Sequence, residues 1–188
     1  MAGITAASRI DQIAMMPMQN LSMALSTFVA QNVGAGLEDR ARKGLRSTVF
    51  YMLICSVIMT ALLMGFSRQL IALFLDQGDA NAPEILRIGG DYLNIMVVFY
   101  FLFALLFAFN GFFRGAGDAV MAMVFPVFSL VVRALSAYGF VDLAGMGPEA
   151  LAWSIAVGWG LSSLASWIYY KMGLWSGKAA VKKTISTD

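Results

Sequence analysis

Three stretches of this chain, 47–66, 92–113 and 150–170, each run for 20 residues or more without a charged side chain, and a fourth, 119–141, is interrupted only by Arg133. A helix rises about 1.5 Å per residue and the hydrocarbon core of a bilayer is roughly 30 Å thick, so about 20 mostly apolar residues make one span. The runs are continuous rather than alternating, which argues against the short strands of an outer-membrane barrel. Lipid offers the backbone no hydrogen-bond partners, so such runs must satisfy their own N–H and C=O groups as helices. The charged content of 13% is about half that of a soluble domain, at roughly 25%. The expected fold class is therefore an all-α integral membrane protein, with the lipid bilayer as its first partner.

The residue inventory removes whole classes of chemistry. With no histidine and a single cysteine, Cys55, the chain has no Ser-His-Asp or Cys-His nucleophile, His-bearing zinc site, iron–sulfur cluster or internal disulfide. A membrane enzyme needs clustered acids, histidine or a nucleophile within its spans, and none is there. No cofactor is expected, and nothing points to nucleic acid.

A fifth segment, 12–34, is uncharged but polar, carrying Gln12, Gln19, Asn20, Ser22, Ser26, Thr27, Gln31 and Asn32. At about 100° per residue, six of these (Gln12, Gln19, Asn20, Ser26, Thr27 and Gln31) gather within an arc of roughly 140°. Ile13, Leu21, Leu25, Phe28 and Val29 read as the opposite face. An unpaired amide in hydrocarbon costs several kcal/mol, so the arc must face other helices or a water-filled cavity. Interhelical hydrogen bonding explains any one of these residues; so many on one arc favour a cavity wall. The candidate cavity residues are Gln12, Met16, Gln19, Asn20, Met23, Ser26 and Thr27, joined by Asn94, Tyr100 and Arg133 from later spans. Methionine is included because its flexible thioether adapts to varied ligands. Pro17 is expected to bend the segment. Arg133 is expected to pair with a carboxylate or substrate, or to reach the outer interface. Asp11 and Asp91 read as solvated helix ends, leaving no buried carboxylate in view for a proton or sodium site.

Five spans place the loops on alternating sides. Nine basic residues (Arg40, Arg42, Lys43, Arg46, Arg114, Lys171, Lys178, Lys182 and Lys183) fall on one side and three (Arg9, Arg68 and Arg87) on the other. The positive-inside rule then puts the carboxyl terminus in the cytoplasm and the amino terminus outside. Residues 1–11 lack the pattern of a signal peptide, and an outside amino terminus with no earlier span reads as part of a longer protein. Residues 67–87 read as a short amphipathic helix at the outer interface and a turn, with Pro83 opening the next helix. The tail 176–188 reads as a disordered basic segment near anionic headgroups. Gly34-Ala35-Gly36 and Gly115-Ala116-Gly117 lack the third glycine of a phosphate loop and read as tight turns.

Two motifs go beyond composition: Phe28-Val29-Ala30-Gln31-Asn32-Val33-Gly34-Ala35-Gly36 followed by the basic Arg40–Arg46, and Phe113-Arg114-Gly115-Ala116-Gly117-Asp118 with Phe125-Pro126 and Arg133 downstream. Their order and separation resemble the multidrug and toxic compound extrusion (MATE) family, from its eighth helix through its twelfth. The resemblance implies a partial six-helix transporter lobe over 1–175, with spans at about 12–34, 47–66, 92–113, 119–141 and 150–170. It implies multi-pass residence in the cell membrane and export of amphipathic or cationic small molecules by alternating access, in exchange for sodium ions or protons. The missing amino-terminal lobe is then the main partner, and the chain alone is expected to be inactive. A second-lobe cation site in some members uses acids on the seventh and tenth helices; the matching 92–113 has no internal carboxylate. Two alternatives remain: a lipid-linked oligosaccharide flippase of the same superfamily, which would need several cavity-facing basic residues, and a structural membrane subunit.

Overall fold

The computed structural model describes residues 2–72, 82–143, 145–147 and 149–176, and those residues form six α-helices and no strand. They are α1 (Ala2–Gly34), α2 (Glu38–Ala72), α3 (Ala82–Val98), α4 (Tyr100–Gly115), α5 (Ala119–Tyr138), extended by a π-helical turn at Gly139–Leu143, and α6 (Ala150–Lys171). The boundaries differ from the sequence reading in four instructive ways. Helix α1 begins ten residues before 12 and continues through Pro17. Helix α2 carries on to Ala72, so residues 67–72 extend a long helix instead of starting a separate interfacial one; 73–81 lie outside the described residues. Pro83 does sit in the first turn of α3, where its missing N–H has no intrahelical partner to lose. The run 92–113 is broken at Phe99, where α3 and α4 meet at 52°. Nothing in that apolar stretch marks the break, because neither proline nor glycine sits at it. The tail was expected to be disordered from 176; Ser176 is hydrogen-bonded to Glu38, and 177–188 lie outside the described residues.

By length and composition three described helices can cross a membrane, and the bent pair 86–115 makes a fourth if it is one span. The five expected spans are thus not all matched by that criterion. Helix α1 is long enough at 33 residues, but its amides keep it out of the apolar class.

Helix α4 is the centre, packing on α1, α2, α5 and α6. Small residues let neighbouring backbones approach closely, the usual means of helix association in lipid. A side chain on Gly111 would strike Ser22, and one on Gly115 would strike the Ser26 carbonyl, so an i, i+4 glycine pair on α4 meets an i, i+4 serine pair on α1. Ser22 Oγ also donates to the Phe107 carbonyl at 2.7 Å. On α6, Ser154, Gly158, Ser162 and Ser166 recur every fourth residue and are all buried. A side chain on Gly158 would meet the Ser129 carbonyl, and Ser162 Oγ donates to the Phe125 carbonyl at 2.6 Å.

The basic end is tied by Asp118, which caps α5 by accepting the Met121 N–H and also accepts the Tyr169 hydroxyl at 2.5 Å. The two turns expected from the glycine motifs are present there, with Gly36 at φ +76 and Gly117 at φ +87, a region open to glycine without a Cβ clash. Trp175, beyond α6, is buried on Phe112 with the Arg42 guanidinium over its ring.

Candidate functional site

The polar arc of α1 lies on the outside of this bundle. Gln12, Gln19, Asn20, Thr27 and Gln31 are exposed, with Met16 and Met23 between them at 53% and 62% exposure. The opposite side of α1 packs on α2, α3 and α4 through Met15, Met18, Ser22, Leu25 and Val29. Ile13 is a correction: expected on the apolar face, it is exposed at 60% and lines an apolar cleft between α1 and α2. Ser26 is half-buried and accepts Arg114 Nε at 3.3 Å, which ties it to α4. Thr27 is exposed, with its hydroxyl directed back to the Met23 carbonyl at 3.4 Å.

The three later candidates do not join that surface as one group. Tyr100 is fully buried. Asn94 is half-buried, and its Oδ1 has no hydrogen-bond partner. Arg133 is exposed on α5. Two of the three instead meet around a residue that the sequence reading set aside.

That residue is Asp11. It was expected at a solvated helix end, yet α1 starts at Ala2, so Asp11 lies more than two turns inside. Its Oδ1 accepts the Tyr100 hydroxyl at 2.5 Å, at the first residue of α4 beside the break. Arg133 is within electrostatic reach of both Asp11 and Tyr92, and Tyr92 hydrogen-bonds Ser8, one turn before Asp11. A carboxylate from α1, phenols from α3 and α4 and a guanidinium from α5 thus converge near one end of the bundle. The contacts from Asp11–Tyr100 to Ser26–Gly115 keep step along parallel α1 and α4, which places Asp11 about 22 Å along the axis from Ser26. Asp91, by contrast, is exposed as expected and pairs with Arg87 at 3.7 Å.

The signal for Asp11 was present. Positions 11, 15, 18, 22, 25 and 29 recur at helical spacing, and the last five are the buried stripe of α1. Extending the wheel by one residue puts Asp11 on the inner face. Chemically, the cluster can hold or release a proton or a small cation on the carboxylate while the Tyr100 phenol fixes its position and the Arg133 charge acts on it through space.

The family model MatE matches residues 1–139. The chain is 29% identical over 176 residues to the probable multidrug resistance protein YpnP of Bacillus subtilis (strain 168), covering 93% of this chain and 38% of that relative. It is 24% identical over 129 residues to the probable multidrug resistance protein NorM of Thermotoga maritima, covering 69% and 27%. Its fold resembles an inward-facing structure of a multidrug resistance MATE family transporter of the MOP superfamily, with TM-score 0.85, 19% identity and coverage of 96% of this chain and 41% of that one. The chain therefore spans about two fifths of these proteins or less. With the family model matching most of its length, and the same helical fold recovered in the structure, the chain belongs to the MATE family of multi-pass membrane transporters.

Proposed function

We propose that this chain supplies one wall of the central cavity of a multidrug efflux transporter, which exports amphipathic or cationic compounds in exchange for sodium ions or protons. The observation that carries the reading is the exposed stripe of Gln12, Gln19, Asn20 and Thr27, with Met16 and Met23 between them. Hydrocarbon would penalise that surface by several kcal/mol per unpaired amide. A wetted vestibule satisfies the amides with water, and the methionines adapt to ligands of different shape. The opposing wall belongs to a second lobe outside this chain, and rocking of one lobe against the other opens the vestibule to each side in turn. The basic end of the bundle, with the carboxyl-terminal segment, faces the cytoplasm.

Asp11 is this lobe's coupling group. Its carboxylate, positioned by Tyr100, takes up the proton or sodium ion, and the change in its charge alters the fit of α1 against α4 at the α3–α4 break. An ion acts on transport only through such differential affinity for the two conformations. The flippase reading finds one basic residue among the candidate cavity positions, Arg133, and that residue is within electrostatic reach of Asp11.

The test replaces Gln19 or Asn20 by Leu in the transporter that carries this chain and measures ethidium efflux and membrane abundance. Altered efflux at unchanged abundance is expected. Unaltered efflux in both variants would assign the stripe to helix packing. Proteoliposomes containing only the 188-residue chain are expected to show no ion-driven dye efflux, and ion-driven efflux from them would overturn the two-lobe reading.

A further inference from the structure

A cleft of about 510 Å³ lies between α1 and α2 toward the basic end, away from the polar stripe. On the helical wheel its α1 residues span about 240–340°, whereas the stripe spans about 80–220°. The α1 wall is apolar, formed by Leu21, Ala24, Leu25 and Phe28. Gly44 of α2 lets that wall form, because a Cβ there would come within 2.7 Å of the Phe28 ring. The cleft opens beside the apolar outer face of α2, where Phe50, Ile54 and Val57 are exposed.

Along α2 the other wall is ordered by chemistry. Arg40 and Lys43 come first, then the hydroxyls of Ser47 and Thr48 one turn on, then the Tyr51 ring another turn on. Arg40 to Tyr51 spans about 16 Å of helix, the depth over which a phospholipid passes from phosphate through glycerol esters to acyl chain. Arg42 is occupied by Glu38, at 4.0 Å, and by the Trp175 ring. Arg40 and Lys43 make no ion pair among the described residues. On their far side a neighbouring cleft carries Glu38 and Asp39, which repel an anion and leave the Phe28 side as its approach.

From this arrangement we infer that the cleft between α1 and α2 binds one anionic phospholipid, with its phosphate on Arg40 and Lys43, its ester oxygens at Ser47 and Thr48 and an acyl chain along Leu21, Leu25 and Phe28. Two cations, hydroxyls and an apolar trough in the order in which a lipid presents phosphate, ester and chain are what select this ligand over a soluble anion or a zwitterionic lipid. The site is independent of the drug cavity, since neither its residues nor its charges belong to the polar stripe.

Native mass spectrometry of the full chain, released from micelles containing dioleoyl phosphatidylglycerol or dioleoyl phosphatidylcholine, tests the inference. Retention of one phosphatidylglycerol in preference to phosphatidylcholine is expected, weakened roughly tenfold or more in the double variant Arg40→Gln/Lys43→Gln. Arg46→Gln removes an exposed cation at the same end that does not line the cleft and should keep the preference. Ala24→Trp fills the trough with both cations intact and should lose it. Equal retention of the two lipids, an equal loss with Arg46→Gln, retention undiminished by Ala24→Trp, or displacement by millimolar inorganic phosphate would each overturn the site.

Discussion

Replacing Gly111 by alanine adds one carbon at the point where α1 and α4 are closest. That carbon would sit 2.7 Å from Ser22 Oγ and 3.1 Å from the Ser22 carbonyl carbon, against an optimal carbon contact of about 3.5–4.0 Å. The obstacle is mainly backbone, so a rotamer change cannot clear it and the two helices must part along the Ser22–Ser26 seam. Overpacking of this kind costs about 1–3 kcal/mol. Parting also strains the Ser22 to Phe107 hydrogen bond, and such bonds within membranes average about 0.6 kcal/mol. Alanine's better helix propensity returns up to about 1 kcal/mol. The balance is a loss of about 0.5–3.5 kcal/mol. Gly65→Ala in α2 is the matched control, because nothing lies within 4 Å of its added carbon, and it should be neutral or slightly stabilising. The assay is equilibrium unfolding of the purified chain in mixed micelles, followed by tryptophan fluorescence. If Gly111→Ala proves as stable as Gly65→Ala, the two backbones are not in contact and the packing argument for α4 fails.

Tyr169→Phe removes one partner of the buried Asp118 carboxylate and should cost about 1–3 kcal/mol by the same assay. Tyr170→Phe keeps its ring contacts with Phe112 and Trp175 and should leave stability unchanged; equal losses would make the effect a matter of rings, not of the hydroxyl. In the two-lobe transporter proposed above, Asp11→Asn should abolish efflux driven by an imposed ion gradient while leaving dye binding intact, and Tyr100→Phe should reduce it less. Undiminished gradient-driven efflux in Asp11→Asn would remove that carboxylate from the coupling mechanism.

Much of the fold was legible because lipid makes a severe solvent. Apolar runs at 47–66, 119–141 (broken only by Arg133) and 150–170 coincide with helices or parts of them, since a backbone in hydrocarbon has to bond to itself. The amide arc on α1 was legible for the same reason: a polar face at that depth has to meet water or another helix. The break at Phe99 was not, because it replaces one apolar helix by two of the same composition, and only packing against α1, α2 and α6 distinguishes them. Asp11 was misread because its role depends on a partner 89 positions away, and Ile13 because exposure at the edge of an arc depends on how far the neighbouring helix leans over it.

By itself the sequence determined that this chain is helical, bound for the membrane, basic at one end, and furnished with a helix whose polar side needs somewhere wet to go. These follow from local chemistry: the transfer cost of each residue and the period of the helix. Which glycines would be turns and which would be contact points was decided only in three dimensions. Gly117 supplies a left-handed backbone, whereas Gly115, two residues earlier, yields its volume to the Ser26 carbonyl. The tertiary structure also decided that a carboxylate, two phenols and a guanidinium from four helices would share one place. Proximity between distant segments is set by close packing of whole surfaces, a property that no single stretch of chain possesses.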